Sequence, residues 1–292
     1  SMSGPVIGMY VRPKAAAQPI SETARRRIRL LVREDTGGTV AEPAFGYVLD
    51  DRTGRPSSPM LPGSTIVLRR GESVGINVVN QLSEPTAVHW HGIELESYFD
   101  GVAGYGGMPG RISPPITARD SFEARMTPPR SGTFIYHAHL DEVRQQRAGL
   151  SGALLVIDPG VTYDPDTDIP LLISTPRTPL AAQFVWLNGS ATPPVKQMRV
   201  GARYRLRLIN IHTSRPSTIA SVLGEAGTPL TWRPIAKDGY DLDAARAVSR
   251  PAVQQMGNGE TFDLEFIPTA PGDLKLEVRA QAGLLLVTWP IQ

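Results

Sequence analysis

The sequence repeats itself once. Arg70-Gly71 through Val78-Val79-Asn80 matches Val200-Gly201 through Leu208-Ile209-Asn210, an offset of 130. Phe122 and Gly132 recur as Phe262 and Gly272, an offset of 140, and Gly152-Ala-Leu-Leu-Val matches Gly283-Leu-Leu-Leu-Val near the end of each half. Two copies of one pattern predict two copies of one folded unit. Within each copy apolar residues alternate over short segments, the period of a half-buried strand. Strands are expected at Ile28 to Val32, Thr65 to Leu68, Val74 to Val79, Thr133 to His137 and Ala153 to Ile157. They resume at Leu171 to Ile173, Phe184 to Leu187, Tyr204 to Ile209, Phe262 to Phe266, Leu274 to Val278 and Leu284 to Val287. No stretch carries a long helical period; Glu142 to Ala148 is expected to make one or two helical turns. The reading is all-β: two β-sandwiches in tandem, each of roughly 125 to 135 residues.

The Pro-, Asp- and Gly-rich stretch Asp158 to Pro170 reads as the linker between the copies. A third fragment of the pattern stands at the beginning, where Ser3 to Val11 is similar to Ser151 to Ile157. It is expected to be the last strand of an upstream domain, with Arg12 to Glu22 as the connection. Ser1-Met2 reads as an expression remnant, so the natural start is expected upstream. Three regions follow: an N-terminal segment and linker over 1–23, a first domain over 24–160 and a second over 161–292.

Composition narrows the function. The chain of 292 residues has a net charge of +2, and its only tight basic run is Arg25-Arg26-Arg27, read as a solvated strand edge. No nucleic-acid partner is expected. No apolar run reaches the ~18 residues of a membrane span. With no cysteine, disulfides, thiolate metal sites and cysteine nucleophiles are all excluded.

Histidine is the informative residue. Only five are present, and four form two His-x-His pairs, His89-Trp90-His91 and His137-Ala138-His139. On a strand, residues i and i+2 share a face, roughly 7 Å apart. Two such pairs on neighbouring strands bring four imidazoles together, and imidazole is a preferred ligand of copper, zinc, iron and nickel. Without thiolates or a Glu-x-x-His pattern, copper or zinc is expected. Trp90, between the first pair, should point into the core. In the second copy, counting from Asn210 puts Ile219 and Ser221 at the first pair's places, and Glu277 and Arg279 stand at the second pair's, so no metal is expected there. His212 matches no ligand place and reads as a partly exposed strand-end histidine.

Thr86-Ala-Val-His-Trp-His-Gly92, followed by Asp100-Gly101-Val102-Ala103-Gly104, resembles the first copper motif of the multicopper oxidases. Gly132-Thr-Phe-Ile-Tyr-His-Ala-His-Leu140, followed by Ala148-Gly149-Leu150-Ser-Gly-Ala-Leu-Leu-Val156, resembles their second. The resemblance to this laccase-like family implies two cupredoxin-like Greek-key β-sandwich or barrel domains. It implies that His89 binds a type 2 copper, and that His91, His137 and His139 bind the type 3 pair of a trinuclear cluster reducing O₂ to water. Asp100 matches the acidic residue that hydrogen-bonds near the type 2 copper and helps deliver protons. The family's third motif, His-Pro-x-His-x-His, and its fourth, with His-Cys-His, are absent, so no type 1 copper can form in this chain. The chain then reads as the C-terminal half of a multicopper oxidase, inactive alone. Its partners would be the missing half of the copper site (upstream domains or another chain), O₂ and a small reducing substrate: a phenol, amine or metal ion. The type 1 half would come first, whereas in ordinary three-domain members the Trp-His-Gly motif leads. The alternative is a copper-binding or structural module without oxidase activity. The family places such proteins outside the cytoplasm, periplasmic or secreted. Four histidines short of a partner should face one open surface, with Tyr98, Phe99, Tyr105 and Met108 as its apolar rim.

Overall fold

The computed structural model describes residues 26–35, 44–50, 61–177, 185–214 and 217–292. The expected N-terminal strand, the connection after it, Arg25 and Phe184 lie outside the described residues.

The first sandwich is built from β1 (Arg26–Asp35), β2 (Ala44–Leu49), β3 (Gly63–Arg69), β4 (Val74–Asn80), β5 (Val88–His91), β6 (Gly107–Met108), β7 (Arg111–Ile112), β8 (Ser121–Met126), β9 (Gly132–Ala138) and β10 (Ser151–Ile157). One short helix, α1 (Glu142–Ala148), lies between β9 and β10. One sheet runs β2-β1-β4-β8 and the facing sheet β3-β10-β9-β5. The pairs β1–β4 and β3–β10 are parallel and the rest antiparallel. Between the sheets lies a core that includes Leu30, Tyr47, Ile76, Trp90, Phe134 and Leu154, each at most 1% exposed.

The second sandwich uses β11 (Asp168–Ser174), β12 (Trp186–Leu187), β13 (Tyr204–Asn210), β14 (Ser217–Leu223), β15 (Thr231–Lys237), β16 (Tyr240–Asp241), β17 (Arg250–Pro251), β18 (Val253–Gly257), β19 (Thr261–Phe266), β20 (Leu274–Ala280) and β21 (Leu285–Ile291). Its sheets run β12-β11-β13-β19-β15-β16 and β18-β14-β20-β21. The repeat is visible in the ladders. The parallel pair β11–β13 repeats β1–β4, and β20–β21 repeats β9–β10. β11 begins at Asp168, so the connection between sandwiches is shorter than the stretch to Pro170 expected from composition. Ile169, Leu171 and Ile173 face the second core, and this alternation draws the segment into the sheet.

The sandwiches share a third apolar cluster, with Ile135, Ala153 and Leu155 from the first against Leu172, Ile209 and Ile211 from the second. Beside it lies a buried polar joint. Arg207, 1% exposed, donates to Asp168 (Nη2 to Oδ2, 2.7 Å), to Asp263 (Nη1 to Oδ2, 3.1 Å) and to Thr133 Oγ1 (2.7 Å). The Thr133 hydroxyl in turn donates to Asp263 Oδ1 (2.5 Å). A buried guanidinium is tolerable only when its charge is matched and its N–H groups are satisfied. Here one first-domain hydroxyl completes a charge network of the second domain.

Candidate metal centre

β5 and β9 pair antiparallel with His89 directly opposite His137. The i, i+2 rule then brings His91 and His139 to the same side. The four rings converge: centroids lie 5.3 Å apart for His89–His137, 5.5 Å for His89–His91, 5.2 Å for His89–His139 and 5.7 Å for His91–His137. One nitrogen from each of His89, His91 and His137 falls within 4.8 Å of the others. Trp90 points the opposite way, 1% exposed and stacked on Tyr136 in the core.

The rings are held from behind. His89 Nδ1 lies 2.8 Å from the backbone oxygen of Asp100 and 3.3 Å from its carboxylate. A carbonyl only accepts, so Nδ1 carries the proton and neutral His89 keeps the lone pair of Nε2 for a metal. The Asp100 loop reaches His89 because the next residue is Gly101, at φ +79°. A methyl group there would lie 1.7 Å from Val88 O, so only glycine permits the approach. His137 Nδ1 is 3.0 Å from Ala138 O and 3.0 Å from the Gln146 amide, which donates to Glu142 (3.1 Å). Such outer contacts orient ligand rings.

The electrostatics differ ring by ring. Burial, followed by repulsion from a charged His89, pushes His137 down to about 3. Burial and the same neighbour lower His91. Burial also disfavours protonated His89, but the hydrogen bonds and charge of Asp100 outweigh it and raise its pKa. His91 and His137, held neutral at neutral pH, offer lone pairs without a metal's competitor, the proton. Imidazole nitrogens with no thiolate suit copper or zinc, so the residues present fit a copper ion.

The four histidines and Asp100 thus come together as the sequence predicted. Four other expectations need correction. The face is not fully open: Ile211, Asn258 and Gly259 of the second sandwich line the same cavity of about 140 Å³. Phe99 is 7% exposed and packs into the core against Tyr98 and Phe122, whereas Tyr105 (70%) and Met108 (42%) are exposed. His212 is fully buried, its Nδ1 accepting from Ser214 N at 3.2 Å within the turn after β13. Finally, the residue opposite Glu277 is Ser221, with Ile219 opposite Arg279. By ladder position Ser221, not Ile219, stands where His89 does, because the second copy has two more residues before this strand. Sequence reasoning missed Gln146 and Glu142, although a polar helix directly after His-x-His is a readable signal. It also missed Asn258-Gly259, a turn dipeptide whose long-range neighbour has no local signature.

The multicopper oxidase family model matches residues 58–160. Over that segment the chain is similar to the multicopper oxidases, laccases among them. Copper resistance protein A of Escherichia coli is 31% identical over 118 residues, covering 40% of this chain and 18% of that protein. Laccase-2 of Pleurotus ostreatus is 30% identical over 184 residues, covering 53% and 33%. The chain thus spans a third or less of these two relatives. The likeness extends to both sandwiches in fold. A multicopper oxidase from Pseudomonas thermotolerans superposes with a TM-score of 0.68 at 22% identity, over 92% of this chain and 64% of that one. The blue copper oxidase of Nitrosomonas europaea gives 0.69 at 19%, over 92% and 86%. Both domains therefore have the cupredoxin-like fold of multicopper oxidases. Among the described residues no helix is long and apolar enough to cross a membrane.

Proposed function

We propose that this chain supplies half of the trinuclear copper cluster of a laccase-like multicopper oxidase, as its C-terminal half. The reading rests on one observation above all: four imidazoles converge on one cavity, and the two motifs that carry them lie in the segment matched by the family model. When bound, copper supplies the electron-transfer chemistry by which O₂ is reduced to water while a phenol, amine or metal ion is oxidised. His89 would hold the type 2 ion through Nε2, and His91, His137 and His139 the type 3 pair. Asp100 keeps the proton of His89 on Nδ1 and offers a carboxylate beside the site, 30% exposed, to pass protons inward from solvent. Glu142 and Gln146 fix the His137 ring. The other four ligands and the type 1 copper would come from upstream domains or another chain, since no cysteine is present here. By analogy with its family the protein would work outside the cytoplasm, in the periplasm or secreted.

The test is copper loading with and without the missing half. The chain is titrated with copper(II), alone and with a companion carrying a His-Cys-His motif, and bound metal and O₂ uptake are measured. The mixture should load more copper than the two parts separately and consume O₂ with a phenolic reductant. The double variant His89→Ala/His137→Ala should lose that gain while melting as a folded protein. Full loading in the double variant would overturn the assignment.

A further inference from the structure

The second sandwich carries no histidine at the ladder positions that the first uses, yet it touches the cluster. The turn between β18 and β19 runs along the histidine face, and both Asn258 and Gly259 line the cavity. A methyl group built at Gly259 would lie 3.1 Å from His91 Nε2 and 3.2 Å from its Cε1, closer than a methyl group sits comfortably. The Nε2–Cε1 edge of His91 therefore rests against bare backbone. This turn is held firmly. Asn210, buried at the end of β13, donates from its side chain to the carbonyls of Met256 (3.3 Å) and Gly257 (3.0 Å), and Gly259 N donates to Asn210 O (2.7 Å). Glu260 closes it by accepting from Gly257 N (2.6 Å) and from Lys237 (2.7 Å). The apolar cluster with Ile135 and Ile211, together with the Arg207–Asp263–Thr133 joint, fixes the turn's distance from the first domain.

We infer that the turn Gly257–Glu260 of the second domain is a wall of the histidine site, and that Gly259 is a positioning residue which sets the His91 ring by having no side chain. This builds on the copper reading but does not depend on it for its primary test. Chain geometry alone would allow glycine at 259 for its left-handed backbone, φ +82°. Contact with His91 is a separate demand, and the two can be told apart. Gly201 has nearly the same backbone (φ +77°) with nothing within 4 Å of an added methyl group. Asparagine tolerates a left-handed backbone better than alanine while adding the same Cβ.

The experiment compares Gly259→Ala, Gly259→Asn and Gly201→Ala in the full chain. The first readout is metal-free: the ring nitrogen and ring proton resonances of His91, assigned by its loss in His91→Gln. Both Gly259 variants should shift them, and Gly201→Ala should leave them unchanged. The second readout is copper(II) affinity, which should fall roughly 10-fold or more in the Gly259 variants, the range seen when a ligand's support is disturbed, and stay at the wild-type value in Gly201→Ala. Thermal melts report folding. If Gly259→Asn keeps wild-type His91 resonances, or Gly201→Ala perturbs them equally, the wall does not exist. If the resonances shift but wild-type chain binds no copper through its histidines, the wall stands and the copper reading fails.

Discussion

The two sandwiches place different chemistry at one ladder position. In the first, His137 lies opposite His89; in the second, Glu277 lies opposite Ser221. Both central residues are almost fully buried, at 4% and 2% exposure. The first solves the burial problem by staying neutral: its pKa is pushed down to about 3. The second stays charged and is paired on its own strand, with Lys275 at 2.8 Å and Arg279 at 2.7 Å, two residues to either side and so on the same face. Burial opposes its ionised form, but those two cations outweigh it and hold it below the usual glutamate range. The scaffold thus fixes where a buried polar group will stand, while the residue chosen decides between a neutral imidazole with a free lone pair and a closed ion cluster.

The sharpest way to break this contrast is to ask where copper goes. Crystals soaked in copper(II) should show anomalous density among the four histidines and none within residues 171–292. A copper peak beside Glu277 would erase the distinction. An intermediate effect concerns acid. In the metal-free folded chain His137 stays neutral down to about pH 3, whereas an unfolded histidine takes up a proton near 6.5. Between those values the unfolded state binds the extra proton, so stability should fall as pH drops from about 6.5 towards 3, by up to a few kcal/mol. His89, with its raised pKa, works the other way and offsets part of the loss. Denaturant melts of His137→Gln should show a shallower acid slope; an unchanged slope would mean that His137 is not the buried neutral group. The smallest effect belongs to the second domain. Glu277→Gln should cost about 1 kcal/mol, because its partners are some two-fifths exposed and water screens them. Its folded pKa lies below the unfolded value, so that contribution exists above about pH 4.5 and disappears as pH falls through the lower folded value. A loss persisting in full at pH 3 would assign Glu277 a packing role instead.

Much of this was legible in the sequence because strands report themselves by alternation. Val74–Asn80 and Tyr204–Asn210 announce both their type and their equivalence. The ligand pairs are equally readable, since spacing of two fixes the face. β2 was not, because Ala44–Leu49 is buried on both sides over five of its six residues and shows no alternation. β15 was hidden by Pro234, which sits where the register slips against β19. The place of Ser221 was misjudged by two because counting from Asn210 assumes loops of equal length. The burial of His212 and the contact of Gly259 with His91 depend on how two domains and a turn pack, and no local pattern encodes them.

Asn80 and Asn210 are the same residue of the repeat, and both are buried loop anchors. Asn80 donates to the carbonyls of Glu84, Ile116 and Thr117, tying down the approach to the strand that carries His89 and His91. Asn210 ties down the turn that lies against His91. The repeat thus holds two copies of one anchoring device, one at the approach to the histidine strand and one at the turn against His91. The second copy carries no histidine at the ladder places of His89 and His137, yet drift in the turn that Asn210 holds would be felt at the histidine cluster of its sibling.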